Sequence, residues 1–300
     1  MKKKTYLFAL MAMALTLGSC SDNENGIGGE TSKYITVSTS IGNMTRVATD
    51  EKGGQTFEEG DEISVYAWTG DATVAPETRE RVVNNAINKL TNGSWVSTPQ
   101  MLWKNNRDKH YFIGVYPIAA ISDLSAGEYT FDETKQVESD LLVAVNKDGL
   151  SYNVDEQQPV PLTFTHVMAK LVVNLTYKNQ WGGIPTVEKV VVGNAAKEAT
   201  INYLTKVVTP STTAKEDFSL PEITENTKYV SVIIPQEDVK QLTIVIGGKN
   251  FVYDNGTPFK LESGKITTVN LEVGRDEIKL GDVKITDWEN GSTFSGEALN

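Results

Sequence analysis

Cysteine, histidine and positive charge are all scarce in this sequence. Cys20 is the only cysteine among 300 residues, and two histidines are present. A single thiol excludes a disulfide framework and every metal site built from several thiolates. Acidic side chains number 39 against 28 basic ones, which gives a net charge of −11 at pH 7. This balance argues against a nucleic-acid partner, because neutralising phosphates requires clustered lysine and arginine.

The N-terminal hydrophobic run is too short to span a membrane. Residues 6–17 form an apolar run of 12 residues behind a basic start, whereas a spanning helix needs about 20. The pattern predicts a signal peptide at residues 1–19. The run ends in Leu17-Gly18-Ser19-Cys20, which resembles a bacterial lipobox, so we expect Cys20 to be acylated. The alternative is an ordinary secretory cleavage site beside a stray cysteine.

Residues 20–33 have the composition of a lipidated flexible tether. Polar residues and a glycine pair follow Cys20, and such segments behave as flexible coils. Loss of the signal peptide removes three lysines and no acids, which takes the net charge from −11 to −14. Anionic lipid repels such a surface, so several acyl chains must hold the protein at the membrane. The acidic start of the tether resembles a signal that exports lipoproteins to the outer face of the outer membrane.

The body of the chain has the pattern of many short β-strands. Apolar residues alternate with polar ones in residues 35–41, 63–67, 171–175 and 267–273, and turn pairs such as Asn92-Gly93 separate the runs. Strands at this spacing are typical of sandwiches and barrels. We therefore predict an all-β fold.

Residues 76–90 are the one stretch that also fits a helix. Its apolar residues would share one helical face, but its three asparagines are weak helix formers. The apolar residues are Val82, Val83, Ala86, Ile87 and Leu90, and the asparagines are Asn84, Asn85 and Asn88. A helix and a pair of strands both remain open. Farther on, the polar stretch 155–159 has the composition of a linker, so we predict domains at 34–158 and 159–300.

Five segments resemble the fimbrillin family, the subunits of type V pili. They occur in family order, and together they are more specific than any one alone. They are FEEGDEISVYAW (57–68), YFIGVYP (111–117), DLLVA (140–144), THVMAKL (165–171) and GKITTVNL (264–271).

The resemblance implies two tandem transthyretin-like Greek-key β-sandwich domains in an exported lipoprotein. Such a chain would form, cap or anchor a fimbria on the cell surface. Its partners would be other fimbrial subunits, the outer membrane through the lipid, and a ligand on a host or bacterial surface. The competing interpretation is a surface glycan-binding β-sandwich lipoprotein of a polysaccharide-uptake system. That protein should show clustered exposed aromatics, whereas a pilus subunit should offer a strand-sized groove.

Residue patterns for catalysis or metal binding are weak. His110 and His166 have no cysteine, histidine or carboxylate at metal-ligand spacing, so both are expected to pack structurally. The acidic stretch at residues 58–62 lacks the spacing of a calcium loop and favours a solvated turn. No serine lies in a nucleophile elbow. We expect no enzyme and no cofactor. Most tryptophans should belong to the core, with Trp95 and Trp181 the most exposed.

The resemblance also implies proteolytic processing near the first strand. In the family, an arginine-specific protease removes that strand at a site like Met44-Thr45-Arg46-Val47. Arg46 is the only basic residue between Lys33 and Lys52. Cleavage would strip the first apolar row from its sandwich. The alternative is a plain loop arginine.

The C-terminal segment is a candidate donor strand for a neighbouring subunit. Two apolar pairs are joined by Gly281-Asp282, which shifts the register of side chains between two faces. An aromatic residue follows. The predicted donor residues are Ile278, Leu280, Val283, Ile285 and Trp288. The alternative is a hairpin that completes the chain's own second domain.

Overall fold

The computed structural model describes residues 33–42, 56–153 and 158–288. The predicted signal peptide, tether, Cys20 and Arg46 lie outside these residues. Within them the chain forms nineteen strands and two single 3-10 turns, Thr78–Glu80 and Asn179–Trp181. The predicted all-β fold is therefore confirmed.

The strands are numbered here in chain order. The first nine are β1 (Val37–Ile41), β2 (Glu62–Thr69), β3 (Arg81–Thr91), β4 (Ser94–Thr98), β5 (His110–Tyr116), β6 (Gly127–Thr130), β7 (Leu142–Leu150), β8 (Val160–His166) and β9 (Ala169–Tyr177). The others are β10 (Val187–Ala196), β11 (Glu198–Asn202), β12 (Val207–Pro210), β13 (Lys215–Ser219), β14 (Glu222–Thr224), β15 (Lys228–Ile233), β16 (Gln241–Ile246), β17 (Lys249–Asp254), β18 (Lys265–Val273) and β19 (Ile278–Asp287).

Four sheets contain these strands. A seven-stranded sheet has the order β1-β8-β7-β5-β2-β3-β4, and a five-stranded sheet has the order β14-β15-β9-β18-β19. A four-stranded sheet (β13-β10-β16-β17) and a three-stranded one (β12-β11-β6) complete the set. Most neighbours are antiparallel, but β1 runs parallel to β8 and β18 runs parallel to β9.

Strand β2 shows that the seven-stranded sheet is buried on both faces. Ile63, Val65 and Ala67 enter one hydrophobic cluster, whereas Tyr66 and Trp68 enter a second. A strand covered on both faces is apolar along most of its length; the polar Ser64 within this one is buried and accepts the amide of Ala119 at 2.9 Å. The second cluster continues through residues of the other three sheets.

Two strands link the halves of the chain that the sequence separates at residue 158. β8 begins at Val160, yet it pairs with β1 and β7. β6 precedes the linker, yet it pairs with β11. The described residues from Lys33 onward also group into one compact unit. The division into two domains stays a prediction.

The ambiguous stretch at 76–90 contains a single strand from Arg81 onward, so both the helix and the pair of strands are wrong. One 3-10 turn precedes the long strand β3, which pairs with both β2 and β4. Asn85 has a φ of 55°, a left-handed conformation that asparagine tolerates well. Asn88 is buried and donates from Nδ2 to the carbonyl of Ala86 at 3.0 Å. The asparagines, which are weak helix formers, are therefore compatible with this strand.

Candidate assembly site: the first and last strands

The first strand is held along one side by β8. The parallel register runs from Val37 opposite Val160 to Ile41 opposite Phe164. The amide of Val160 donates to the carbonyl of Thr36 at 2.8 Å, and the amide of Gly42 donates to the carbonyl of Phe164 at 2.8 Å. Most of β1's backbone pairing therefore comes from a strand that lies more than a hundred residues away in the chain.

The residues just before the first strand pair with the segment that follows β4. The amide of Ile35 donates to the carbonyl of Met101 at 2.9 Å, and the amide of Trp103 donates to that of Lys33 at 3.0 Å. The Trp95 indole of β4 donates to the Thr39 hydroxyl at 3.0 Å. The first strand thus connects the two opposite ends of the seven-stranded sheet.

The side chains of the first strand fill the first hydrophobic cluster. Ile35, Val37 and Ile41 are 1%, 6% and 8% exposed, and they share that cluster with Met101 and Phe164. Burying three such side chains contributes about 5–9 kcal/mol as an upper bound. The alternating apolar row predicted from the sequence therefore lies in the core.

The last strand lies at the edge of the five-stranded sheet of its own chain. It pairs antiparallel with β18, with Ile278 opposite Val273 and Leu280 opposite Leu271. The register then shifts at Gly281, so that Val283 faces Val269. The shift occurs at the predicted glycine step, but it keeps both apolar pairs on one face, so the expectation that Val283 and Ile285 lie on a second face is wrong.

That apolar row is only half covered. Leu280, Val283 and Ile285 are 39%, 37% and 40% exposed, whereas their partners on β18, Leu271 and Val269, are fully buried. An edge strand that presents apolar side chains and unpaired backbone is a template for pairing with another chain. The structure places the first four predicted donor residues on this row. Whether the strand is exchanged stays a prediction.

Trp288, the fifth predicted donor residue, lies in a buried seat directly after β19. Its ring stacks on His166 with a centroid distance of 3.9 Å and an interplanar angle of 6°. The Lys170 ammonium lies 4.3 Å from the ring centroid. The Trp288 amide donates to the carbonyl of Gly264 at 2.9 Å. Sequence reasoning missed this seat because 122 residues separate the two stacked rings.

A carboxylate supports the stacked histidine. Nδ1 of His166 lies 2.8 Å from the Asp140 carboxylate. Burial lowers the pKa of the Lys170 ammonium, and the nearby charge of Asp140 partly opposes that shift. The expectation that His166 packs structurally therefore agrees with its position, although its role as a partner of the C-terminal strand was not foreseen.

Comparison with known proteins assigns the family. A family model described as fimbrillin-like matches residues 45–288. The chain belongs to the fimbrillin-like family. The match begins next to Arg46 and ends at Trp288. The family resemblance predicted from the sequence is confirmed, and with it the interpretation as a subunit of a cell-surface fimbria. A glycan-binding module of a polysaccharide-uptake system is not favoured.

Individual relatives agree with this assignment. The fimbrillin-like chain is 25% identical to Fim1C of Bacteroides uniformis, assigned as a fimbrium subunit, over 99% of this chain and 100% of the other. A crystal structure of a protein assigned to cell adhesion in Bacteroides uniformis has 19% identity and a TM-score of 0.64, covering 85% of this chain and 98% of that one. A similar protein of Bacteroides ovatus has 18% identity and a TM-score of 0.62, with the same coverage. These two structures show the fold alone.

The tryptophans of the fimbrillin-like chain do not form an exposed platform. Trp95 and Trp181, expected to be the most exposed, are half-buried, as is Trp103, whereas Trp68 and Trp288 are buried. Trp95 packs against the first cluster, and the Trp181 indole donates to the carbonyl of Val273 at 2.9 Å. Each indole N–H donates to a backbone or hydroxyl oxygen, and these hydrogen bonds hold both rings in partly buried positions.

The remaining polar candidates are structural. His110 is buried, and burial lowers its pKa; its Nε2 accepts the Lys104 amide at 3.1 Å. The Glu59 carboxylate accepts the amide of Asn92 at 2.6 Å, which ties the acidic turn to the β3–β4 hairpin. Among the described residues, no group of three or more histidine, cysteine, aspartate or glutamate side chains could hold a metal ion. The same part of the chain contains no helix long and apolar enough to cross a membrane.

Proposed function

We propose that this chain is exported as a lipoprotein, anchored through Cys20 in the outer membrane, and built into a fimbria by strand exchange with other fimbrial subunits. Cleavage after Arg46 would precede exchange. The observation that carries the proposal is the position of β1. It pairs with β8, the residues just before it pair with the segment after β4, and it follows the predicted tether directly.

Removal of β1 would create what we call the first-strand groove. Its floor would be the apolar side chains that now contact Ile35, Val37 and Ile41, and its walls would be the backbone of β8 and of residues 101–103. Exposed apolar surface and unpaired backbone are both unfavourable, and one incoming strand satisfies both. The groove would therefore bind an extended segment with apolar residues at alternating positions.

The last strand of another copy has the pattern that such a groove requires. Its row of Ile278, Leu280, Val283 and Ile285 is close in length to the apolar row of β1, and its three-residue step at Gly281 requires in the groove the same bulge that keeps the row on one face beside β18. Complete burial of the three exposed members would gain about 2–4 kcal/mol, because about two-fifths of each is exposed at home. Backbone bonds lost to β18 would be replaced in the groove. The net free energy gained by exchange is therefore modest, and it depends on how stably β19 is paired with β18 in its own chain.

Processing at Arg46 is tested in cells that assemble the chain. Arg46→Ala should block removal of β1 and abolish incorporation into surface fibres, whereas Lys52→Ala is a matched control that should leave both unchanged. N-terminal sequencing of wild-type assembled material should begin at Val47. Assembled material that still begins before Arg46 would refute the cleavage.

The lipid anchor is tested separately. Mass spectrometry of the membrane-bound precursor should show acyl groups on Cys20 as its first residue. A Cys20→Ala variant should lose its membrane attachment. An unmodified Cys20 in a soluble periplasmic product would overturn this part of the proposal and leave the strand-exchange part standing.

A further inference from the structure

The last strand is held unevenly along its length. Its row of Leu280, Val283 and Ile285 lies at the sheet edge with about two-fifths of each side chain exposed, whereas Trp288, directly after the strand, is 9% exposed. Backbone pairing with β18 runs along the whole strand, from Ile278 opposite Val273 to Asp287 opposite Lys265. Side-chain burial is therefore concentrated at the C-terminal end.

The buried end contacts three separate parts of the fold. His166 ends β8 of the seven-stranded sheet, and Lys170 lies in β9 of the five-stranded sheet. The carbonyl of Gly264, just before β18, accepts the Trp288 amide. Asp140, in the segment before β7, fixes the His166 ring at 2.8 Å. The Trp288 ring thus contacts residues of both sheets through one stacked face and one nearby cation.

We propose that this seat is a latch: the stack of Trp288 on His166 keeps β19 on its own chain, and its opening sets how often the strand is available to a neighbour. We call the Trp288 ring, the His166 ring and the Lys170 ammonium the latch. The consequence for assembly rests on the proposed strand exchange, whereas the latch itself does not. The side chains in the middle of β19 are partly exposed, and Trp288 at its C-terminal end is buried. Release of the Trp288 ring should therefore allow β19 to separate from β18.

Hydrogen exchange of the purified mature chain tests the latch. Trp288→Ala should speed exchange of the β19 amides about tenfold, while amides shared by β9 and β15 stay unchanged. Leu280→Ala on the same strand removes a side chain that is already 39% exposed and should have a much smaller effect. A Trp288→Ala effect no larger than that of Leu280→Ala would overturn the latch. An equal increase throughout the five-stranded sheet would also overturn it, because Trp288 would then be an ordinary core residue.

His166 provides a variant that leaves the donor strand itself unaltered. His166→Ala should reproduce the faster exchange of β19, whereas His166→Phe keeps an aromatic ring to stack and should retain most of the protection. Wild-type protection in His166→Ala would show that the stack does not hold the strand, and so would contradict the proposal.

Assembly of the same variants separates the latch from the proposed function. If strand exchange occurs, His166→Ala should polymerise faster than wild type, because its Trp288 remains intact for the groove. Faster exchange of β19 without any polymerisation in either protein would refute strand exchange and support the latch. Polymerisation of wild type with no change of β19 in His166→Ala would refute the latch alone.

Discussion

Three aspartates shape loops of the chain by the same local device. Each carboxylate accepts hydrogen bonds of 2.6–2.9 Å from the amide and the hydroxyl of the residue two positions on. These bonds stabilise the ionised form and lower the pKa of each aspartate below 3.8. The pairs are Asp71 with Thr73, Asp123 with Ser125, and Asp132 with Thr134.

Replacement of one of these aspartates should alter stability in a pH-dependent way. A carboxylate with a lowered folded-state pKa contributes stability above its unfolded value of about 4, and this stability is lost as pH falls through the folded value. Asp132→Asn should therefore reduce stability at pH 7 and have little effect at pH 2. Urea unfolding at both pH values measures this. Asp148→Asn, at an exposed position of β7, serves as the control; an Asp132→Asn effect that is equal at both pH values would contradict the explanation.

Gly114 of β5 packs against the side chains of Phe164 and Leu162 without room for a methyl group. A Cβ at this position would lie 2.6 Å from Cζ of Phe164 and 3.1 Å from Cδ1 of Leu162. Gly114→Ala should therefore destabilise the fold by about 1–3 kcal/mol through overpacking. Gly193→Ala in β10 is the matched control, because its Cβ would first meet the flexible end of Gln241 at 3.3 Å. Denaturant midpoints that shift equally for both variants would rule out the packing argument.

At the scale of elements, alternation predicted strands well and their partners poorly. The runs at 35–41 and 63–67 are strands because period two places one row of side chains in a core. Nothing local shows that β1 pairs with β8, since that contact joins residues more than a hundred positions apart. The spacing of the apolar residues at 76–90 left a helix open, because tertiary pairing, not the local pattern, decides such a segment. The stacking of Trp288 on His166 could not be predicted for the same reason, because the two residues lie far apart in the sequence.

Removal of the last strand distinguishes an exchangeable element from an essential one. A chain truncated after Gly274 should stay folded but lose about 3–5 kcal/mol, mainly from the buried Trp288, and should not enter fimbriae. A chain truncated after Trp288 retains the strand and should behave as wild type in both respects. Circular dichroism with thermal unfolding, together with recovery from surface fibres, measures the two effects. Failure of the shorter chain to fold would show that β19 is an essential part of its own chain's fold and is not exchanged.

At the scale of the whole molecule, the fimbrillin segments correspond to the interior. The stretch at 57–68 contains β2, which is buried on both faces, and the stretch at 264–271 contributes to β18, which lies between β9 and β19. These segments were recognised in the sequence through the family resemblance, and the structure shows that residues such as Ile63, Val65 and Leu271 within them are buried. The sequence patterns of β1 and β19 are less specific. An edge strand and a removable strand have the same alternation as other strands and differ only in which elements cover them.

Immunogold electron microscopy of intact cells tests the central claim most directly. Antibody raised against residues 56–288 should label filaments on cells that produce the chain, and the labelled filaments should disappear when the gene is deleted and return when it is restored. Label along the shaft, at the distal end or at the base would identify a stalk, tip or anchor subunit. Label confined to the cell surface, with filaments unchanged by the deletion, would contradict the assignment as a fimbrial subunit.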